Sequence, residues 1–178
     1  FQFPYAERGR RQPDPTAVLL ATWRAVLREV RREHAFVIAA GRSLGGRIAS
    51  MIAAEQSIAP AEQSTAASEP SSTSAAPDRI DRLALYAYPL RPPQRPDDVR
   101  SAHLPAIAVP TLFCSGTRDS FATPQDLMEA AALVPNRTLH LLEGADHGFS
   151  VLKSSGRTRQ QVWDEVIEAT VRWLHKSG

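Results

Sequence analysis

The chain reads as an α/β domain built on a mostly parallel sheet flanked by helices. Three observations predict it. Short apolar runs of strand length stand at 35–40, 82–88, 110–115 and 138–142. Segments of helical periodicity alternate with them, and such alternation needs crossover helices and so gives parallel strands. At 178 residues, 43% of them hydrophobic, the chain suits a single domain over 1–178 with a core of its own.

The elements follow in order. Phe1-Gln2-Phe3-Pro4-Tyr5 reads as the tail of a strand entered midway, so the chain is expected to be a piece of a longer one, its first strands lying upstream. Pro4, Pro13 and Pro15 mark irregular backbone, and Asp14 or Thr16 is placed to cap a helix with Pro15 in its first turn. From Thr16 to Glu33, Leu19, Trp23, Val26, Leu27 and Val30 recur at spacings of three and four, with arginines opposite: an amphipathic surface helix with Trp23 in the core. Ala35-Phe36-Val37-Ile38-Ala39-Ala40 is uninterrupted by polar residues, as in a strand buried on both faces. A helix from Gly46 to about Ala54 follows.

Residues 55–77 turn to Glu, Gln, Ser, Thr, Ala and Pro, a low-complexity insert expected to lack fixed structure. It should hang from the rim opposite Ser43, where deletion leaves the chemistry intact. The strand 82–88 leads into the stiff Pro89-Leu90-Arg91-Pro92-Pro93 loop, and 97–103 holds one or two helical turns. The remaining elements are a strand at 110–115, a helix at 124–133, a strand at 138–142 and a helix at 158–175. The last helix places Trp163, Val166, Ile167, Thr170 and Leu174 on one face.

Composition excludes several partners. Lys and Arg number 21 against 19 Asp and Glu, and a net charge of +2 is too small to imply a polyanion; no nucleic-acid partner is expected. Arg8-Gly9-Arg10-Arg11 reads as a solvated turn. The single cysteine, Cys114, lies in an apolar run and reads as a buried thiol; one thiol cannot form an internal disulfide and suits a reducing compartment, the cytoplasm. No apolar run approaches the roughly 20 residues of a membrane span, so no membrane partner is expected.

Function is concentrated in Gly41-Arg42-Ser43-Leu44-Gly45, a G-x-S-x-G sequence set between a strand and a helix. A serine there sits on a sharp turn with its hydroxyl exposed. Glycines at 41 and 45 supply the clearance, and the helix start aims N–H groups at the reacting carbon. Parallel strands bring the ends of 35–40, 110–115 and 138–142 to one rim, where Ser43, Asp119 and His147 stand. The order Ser, Asp, His matches a nucleophile, an acid that orients the imidazole, and a general base. The Leu44 N–H is the expected oxyanion donor. Asp126 and Asp146 compete with Asp119, and His103 and His140 with His147. Asp119 has a second reading as a helix cap, His140 as a packed strand residue, and His103 as a residue lining the rim. No two histidines have metal-ligand spacing, so neither metal nor other cofactor is expected.

The motifs just named, with Phe1–Tyr5, Arg8–Arg11, Pro13-Asp14, Arg47, Tyr88-Pro89-Leu90, Gly116–Asp119 and Ala145–Phe149, resemble those of the KANL/Tex30-like α/β-hydrolases, relatives of dienelactone-hydrolase-like proteins. The resemblance covers nearly the whole chain outside 55–77. It implies an α/β-hydrolase fold and a serine hydrolase. It also implies a preceding segment with the first strands and a His-Gly-type loop, the source of a second oxyanion N–H worth ~3 kcal/mol in the transition state. Two functions follow. One is cleavage of a small acyl ester, thioester or lactone through an acyl-enzyme on Ser43, with apolar walls from Tyr88, Leu90, Phe121 and Phe149 and with Arg42 meeting a carboxylate. The other is a non-catalytic interaction module on the same fold, bound to a protein partner.

Overall fold

The computed structural model describes residues 1–58 and 78–176. In chain order these form α1 (Pro4–Glu7), α2 (Thr16–Glu33), β1 (Ile38–Arg42), α3 (Leu44–Ile58), β2 (Arg82–Tyr86), β3 (Thr111–Gly116), α4 (Pro124–Ala132), β4 (Arg137–Leu142) and α5 (Arg159–His175), with short 3-10 turns at Leu104–Ala106 and Lys153–Ser155. The four strands make one parallel sheet in the order β1-β2-β3-β4.

Alternation along each strand divides the core in two. Ala39, Leu83, Leu85 and Phe113 face the side that holds α2, α3 and α4, and pack with Leu19, Trp23, Leu27, Ile48, Ile52 and Leu127. Ala84, Leu112, Cys114 and Leu142 face the other side, beneath Val162, Val166 and Trp173 of α5. Burial pushes the Cys114 thiol up to about 12, with the Glu165 charge adding to it, so the thiol is neutral packing material.

Several sequence expectations are corrected here. Phe1–Tyr5 is not strand: Pro4 opens the short helix α1, and Phe3 turns into the core, stacking on Tyr5. The apolar run before Ser43 is not buried on both faces, because β1 is the edge of the described sheet and α5 lies over the other strands. Phe36 and Ile38 are therefore exposed while Val37 and Ala39 are buried. Pro15, not Asp14 or Thr16, holds the cap position of α2, and no side chain caps it. Residues 55–58 continue α3, and the rest of the 55–77 insert lies outside the described residues. The helical turns expected at 97–103 come later, as the 3-10 turn at Leu104–Ala106.

On α5 the buried stripe is Val162, Val166, Ala169 and Trp173, and Ile167 is 58% exposed. Small Ala169, rather than branched Ile167, is the residue turned toward the sheet. Both later helices are capped by side chains. Thr123 accepts the Asp126 N–H ahead of α4, and Thr158 forms a reciprocal capping box with Gln161 ahead of α5. Asp81 ties the entry of the sheet together, accepting the Val37 N–H at 2.8 Å and pairing with Arg31 of α2. Burial opposes ionisation of Asp81. The bonds from Val37, Arg79 and Arg31 outweigh it and hold the carboxyl below its usual range.

Candidate active site

Between β1 and α3 the chain turns within one residue. Ser43 has φ 51°, a left-handed conformation rare outside glycine, and holds it through two backbone bonds: its N–H donates to the Tyr86 carbonyl at 2.8 Å and its carbonyl accepts the Arg47 N–H at 3.0 Å. The turn folds α3 back on β1 so tightly that a Cβ on Gly41 would lie 2.4 Å from the Gly46 nitrogen, and one on Gly46 2.6 Å from the Gly41 carbonyl oxygen. A Cβ on Gly45 would meet nothing within 4 Å. The clearance thus comes from Gly41 and Gly46, not from Gly41 and Gly45. The strand and helix cross at 41 and 46, while 45 faces the open groove beside the elbow.

The β3 and β4 ends are laced together. The Thr117 N–H donates to the Leu142 carbonyl at 3.0 Å and the Arg118 N–H to the Ala145 carbonyl at 2.9 Å. Gly116 permits this approach, since a Cβ there would sit 2.0 Å from the Ala145 carbonyl oxygen. The loop after β4 closes on Asp146, whose Oδ1 accepts the N–H groups of Gly148 at 2.8 Å and Ser150 at 2.9 Å. Phe149, at φ 60°, drives its ring fully into the α5 core against Trp163 and so pins the loop. Asp146 is occupied as the hub of this turn. Asp126 is occupied at the start of α4, with Thr123 and Arg91.

The structure brings Ser43, His147 and Asp119 together. His147 Nε2 lies 2.9 Å from Ser43 Oγ, and His147 Nδ1 lies 2.9 Å and 3.0 Å from the two Asp119 oxygens. An ionised carboxylate only accepts, so Nδ1 carries the hydrogen and Nε2 faces the serine hydroxyl as acceptor. Asp119 is 5% exposed, and its carboxylate is held by the Phe121 N–H at 2.8 Å and the Ser115 hydroxyl at 3.2 Å. The Phe121 ring covers the imidazole at 4.2 Å between centroids. The Leu44 N–H is the first of α3 and has no intrahelical acceptor, leaving it free at the positive end of the helix. Ser115 carries no sequence signal for this role, because only the turn after β3 reveals that it faces Asp119.

The other predicted residues are placed differently. Arg42 is exposed beside Ser43, between a groove of about 900 Å³ along β1 and α2 and one of about 380 Å³ against α5. Tyr88 and Leu90 are each 1% exposed and pack in the core, so the structure does not set them on a wall of the site. The Tyr88 hydroxyl donates to the Arg100 carbonyl at 2.7 Å. Phe149 likewise belongs to the core, and of the four proposed wall residues Phe121 alone borders the imidazole. His140 bonds Glu165 of α5 at 2.8 Å.

Sequence reasoning missed the partner of His103. It bonds the hydroxyl of Ser50, on α3, at 2.7 Å. Ser50 has no exposed surface and donates to the Arg47 carbonyl at 2.7 Å, so the serine of this second serine–histidine pair is shut away from solvent while His103 is half-buried. Partial burial, aided by the Arg47 charge, lowers His103 to about 4 and keeps it neutral.

With this geometry in place, comparison with known proteins is informative. No curated protein matches the chain significantly. Esterase 2 of Thermogutta terrifontis, in its butyrate-bound structure, superposes with a TM-score of 0.64 at 20% identity, covering 96% of this chain and 69% of the esterase. An alpha-beta serine hydrolase homologue from Coxiella burnetii superposes at 0.60 with 16% identity, covering 95% of this chain and 63% of that one. At these identities the likeness is one of fold. The family described as alpha/beta hydrolase domain matches residues 1–175. Spanning nearly the whole sequence, that match means the chain belongs to the alpha/beta hydrolase domain family.

Proposed function

We propose that the protein is a serine hydrolase that cleaves a small acyl ester, thioester or lactone through an acyl-enzyme on Ser43. One observation carries this reading: the unbroken hydrogen-bonded path from the buried Asp119 carboxylate through His147 to the Ser43 hydroxyl at the elbow. An interaction module has no use for a base oriented by a buried acid.

In this reading Ser43 Oγ bonds the acyl carbon as its proton passes to His147 Nε2. Asp119 stabilises the imidazolium without taking the proton. The carbonyl oxygen, now an oxyanion, is met by the Leu44 N–H and the α3 dipole. Collapse breaks the bond to the leaving group, which takes the proton back from His147. Water, activated by the same imidazole, then releases the acid. Phe121 forms the apolar wall over the imidazole, and Arg42 stands at the mouth. The esterase with the same fold, whose structures include butyrate-bound and paraoxon-phosphorylated forms, supports this class of chemistry.

Within the family we assign the chain to the KANL/Tex30-like group, on the Gly41–Arg47 elbow and the Tyr88-Pro89-Leu90 motif. The lone buried thiol suits the cytoplasm, our proposed location; among the described residues no helix is long and apolar enough to cross a membrane. A fluorophosphonate probe tests the function. Labelling is expected, and Ser43→Ala abolishes it. Absence of labelling in folded protein refutes the proposal and leaves the interaction module, which a stable pulled-down partner would then support.

A further inference from the structure

Among the described residues two buried side-chain nitrogens lack a hydrogen-bond partner, Trp23 Nε1 and Arg47 Nε, and only Arg47 carries a charge. Arg47 follows Ser43 by one helical turn, about 5.4 Å along the axis. Its Nε has no exposed surface and no hydrogen-bond partner, and its guanidinium enters no ion pair among the described residues. The residues that feel its charge are Tyr88, Arg100 and His103. None supplies an anion. The Tyr88 hydroxyl is committed to the Arg100 carbonyl and stays protonated, raised to about 12 chiefly by burial. His103 is committed to Ser50, and Arg100 is itself cationic, with Asp98 3.7 Å from it. A partly buried guanidinium without a counter-charge is costly, and a ligand's anion removes that cost.

Resting on the hydrolase reading, we propose that Arg47 is a specificity-determining residue that receives a carboxylate on the acyl portion of the substrate, so that the preferred substrates are monoesters or monothioesters of small dicarboxylic acids. The side of the substrate follows from the chemistry. The leaving group must lie near His147 Nε2, which protonates it. The acyl chain leaves the tetrahedral carbon in another direction. Arg47 stands on α3, with its charge felt by Tyr88, Arg100 and His103 of the 88–103 loop, about one turn from the nucleophile. A chain of about three methylenes reaches roughly as far as one helical turn, about 5 Å, which makes glutarate the reference acid for the test. Arg42, exposed at the mouth, is free to solvent and discriminates less; the half-buried Arg47, with its Nε out of reach of water, binds a carboxylate more strongly.

The test compares two esters with one leaving group, 4-nitrophenyl butyrate and the 4-nitrophenyl monoester of glutarate, on the full chain. Arg47→Gln is expected to lower the glutarate-to-butyrate ratio of kcat/KM about 30-fold, mainly through KM, and Arg47→Lys to recover part of it. A ratio that moves less than about threefold overturns the inference. Because the side chain has no partner among the described residues, Arg47→Gln should unfold at or above the wild-type temperature; a merely structural arginine would lower Tm and both activities together. Calorimetric binding of free glutarate to Ser43→Ala gives an independent reading, expected to weaken about 30-fold when Arg47→Gln is added. Glutarate bound through Arg47 without turnover of either ester would sink the hydrolase and keep the cation site. Butyrate turnover with no glutarate binding would sink the cation site and keep the hydrolase.

Discussion

Replacing Asp119 by Asn changes one atom and should remove most of the reactivity of Ser43. The carboxylate has fixed duties: Oδ1 accepts the Phe121 N–H at 2.8 Å, Oδ2 accepts the Ser115 hydroxyl at 3.2 Å, and both face His147 Nδ1. The oxygen of an Asn can keep the Phe121 bond. Its NH₂ then points at Nδ1, which must become an acceptor, so the ring hydrogen moves to Nε2 and is directed at Ser43 Oγ. The imidazole now donates where it should accept, and the serine has no base. A wrongly held tautomer costs about 10⁴ in rate, or ~5 kcal/mol at 1.36 kcal/mol per factor of ten. The assay is the second-order rate of fluorophosphonate labelling, with thermal unfolding as the control for intact fold. If Asp119→Asn labels within tenfold of wild type while Ser43→Ala does not label, the proposed role of Asp119 is wrong.

Three further outcomes follow from the packing. His103 is held near 4 when folded and has 6.5 as its ordinary value, so the unfolded chain binds the proton first. Its contribution to stability is complete above about 6.5 and is lost as pH falls through 4. The full difference corresponds to about 3 kcal/mol, and partial exposure to solvent reduces it to about 2. His103→Asn should flatten the loss of urea stability between pH 7.5 and 4.5, and an unchanged slope would contradict the assignment. Gly116→Ala should cost about 3 kcal/mol and abolish labelling, because its Cβ meets backbone and spreads the loops that carry Asp119 and His147. Gly45→Ala, in open space within the first turn of α3, should instead raise stability by about 0.5–1 kcal/mol in the same denaturation assay.

The sequence alone was enough to locate the α/β architecture, the elbow and the three residues that meet there. Each of these signals is local: an apolar run, a helical period, a glycine-bracketed serine, an acid and a histidine each following a strand. Parallel strands carry such residues to a common rim without further information. The α2 bounds were readable for the same reason, since an amphipathic period depends only on neighbours along the chain.

What depends on distant neighbours was decided by the tertiary structure. Sequence cannot show that β1 is the edge of the described sheet, so its apolar face looked buried when Phe36 and Ile38 face outward. Aromatic residues beside the motifs, Tyr88 and Phe149, looked like site walls. They proved to be core, because a turn at the rim has to be anchored by something large beneath it. The choice between Gly45 and Gly46, the grip of Ser115 on Asp119, and the Arg47 Nε left without a partner among the described residues all arise where two segments cross. Such crossings set distances between atoms far apart along the chain, and no local pattern of residues encodes them.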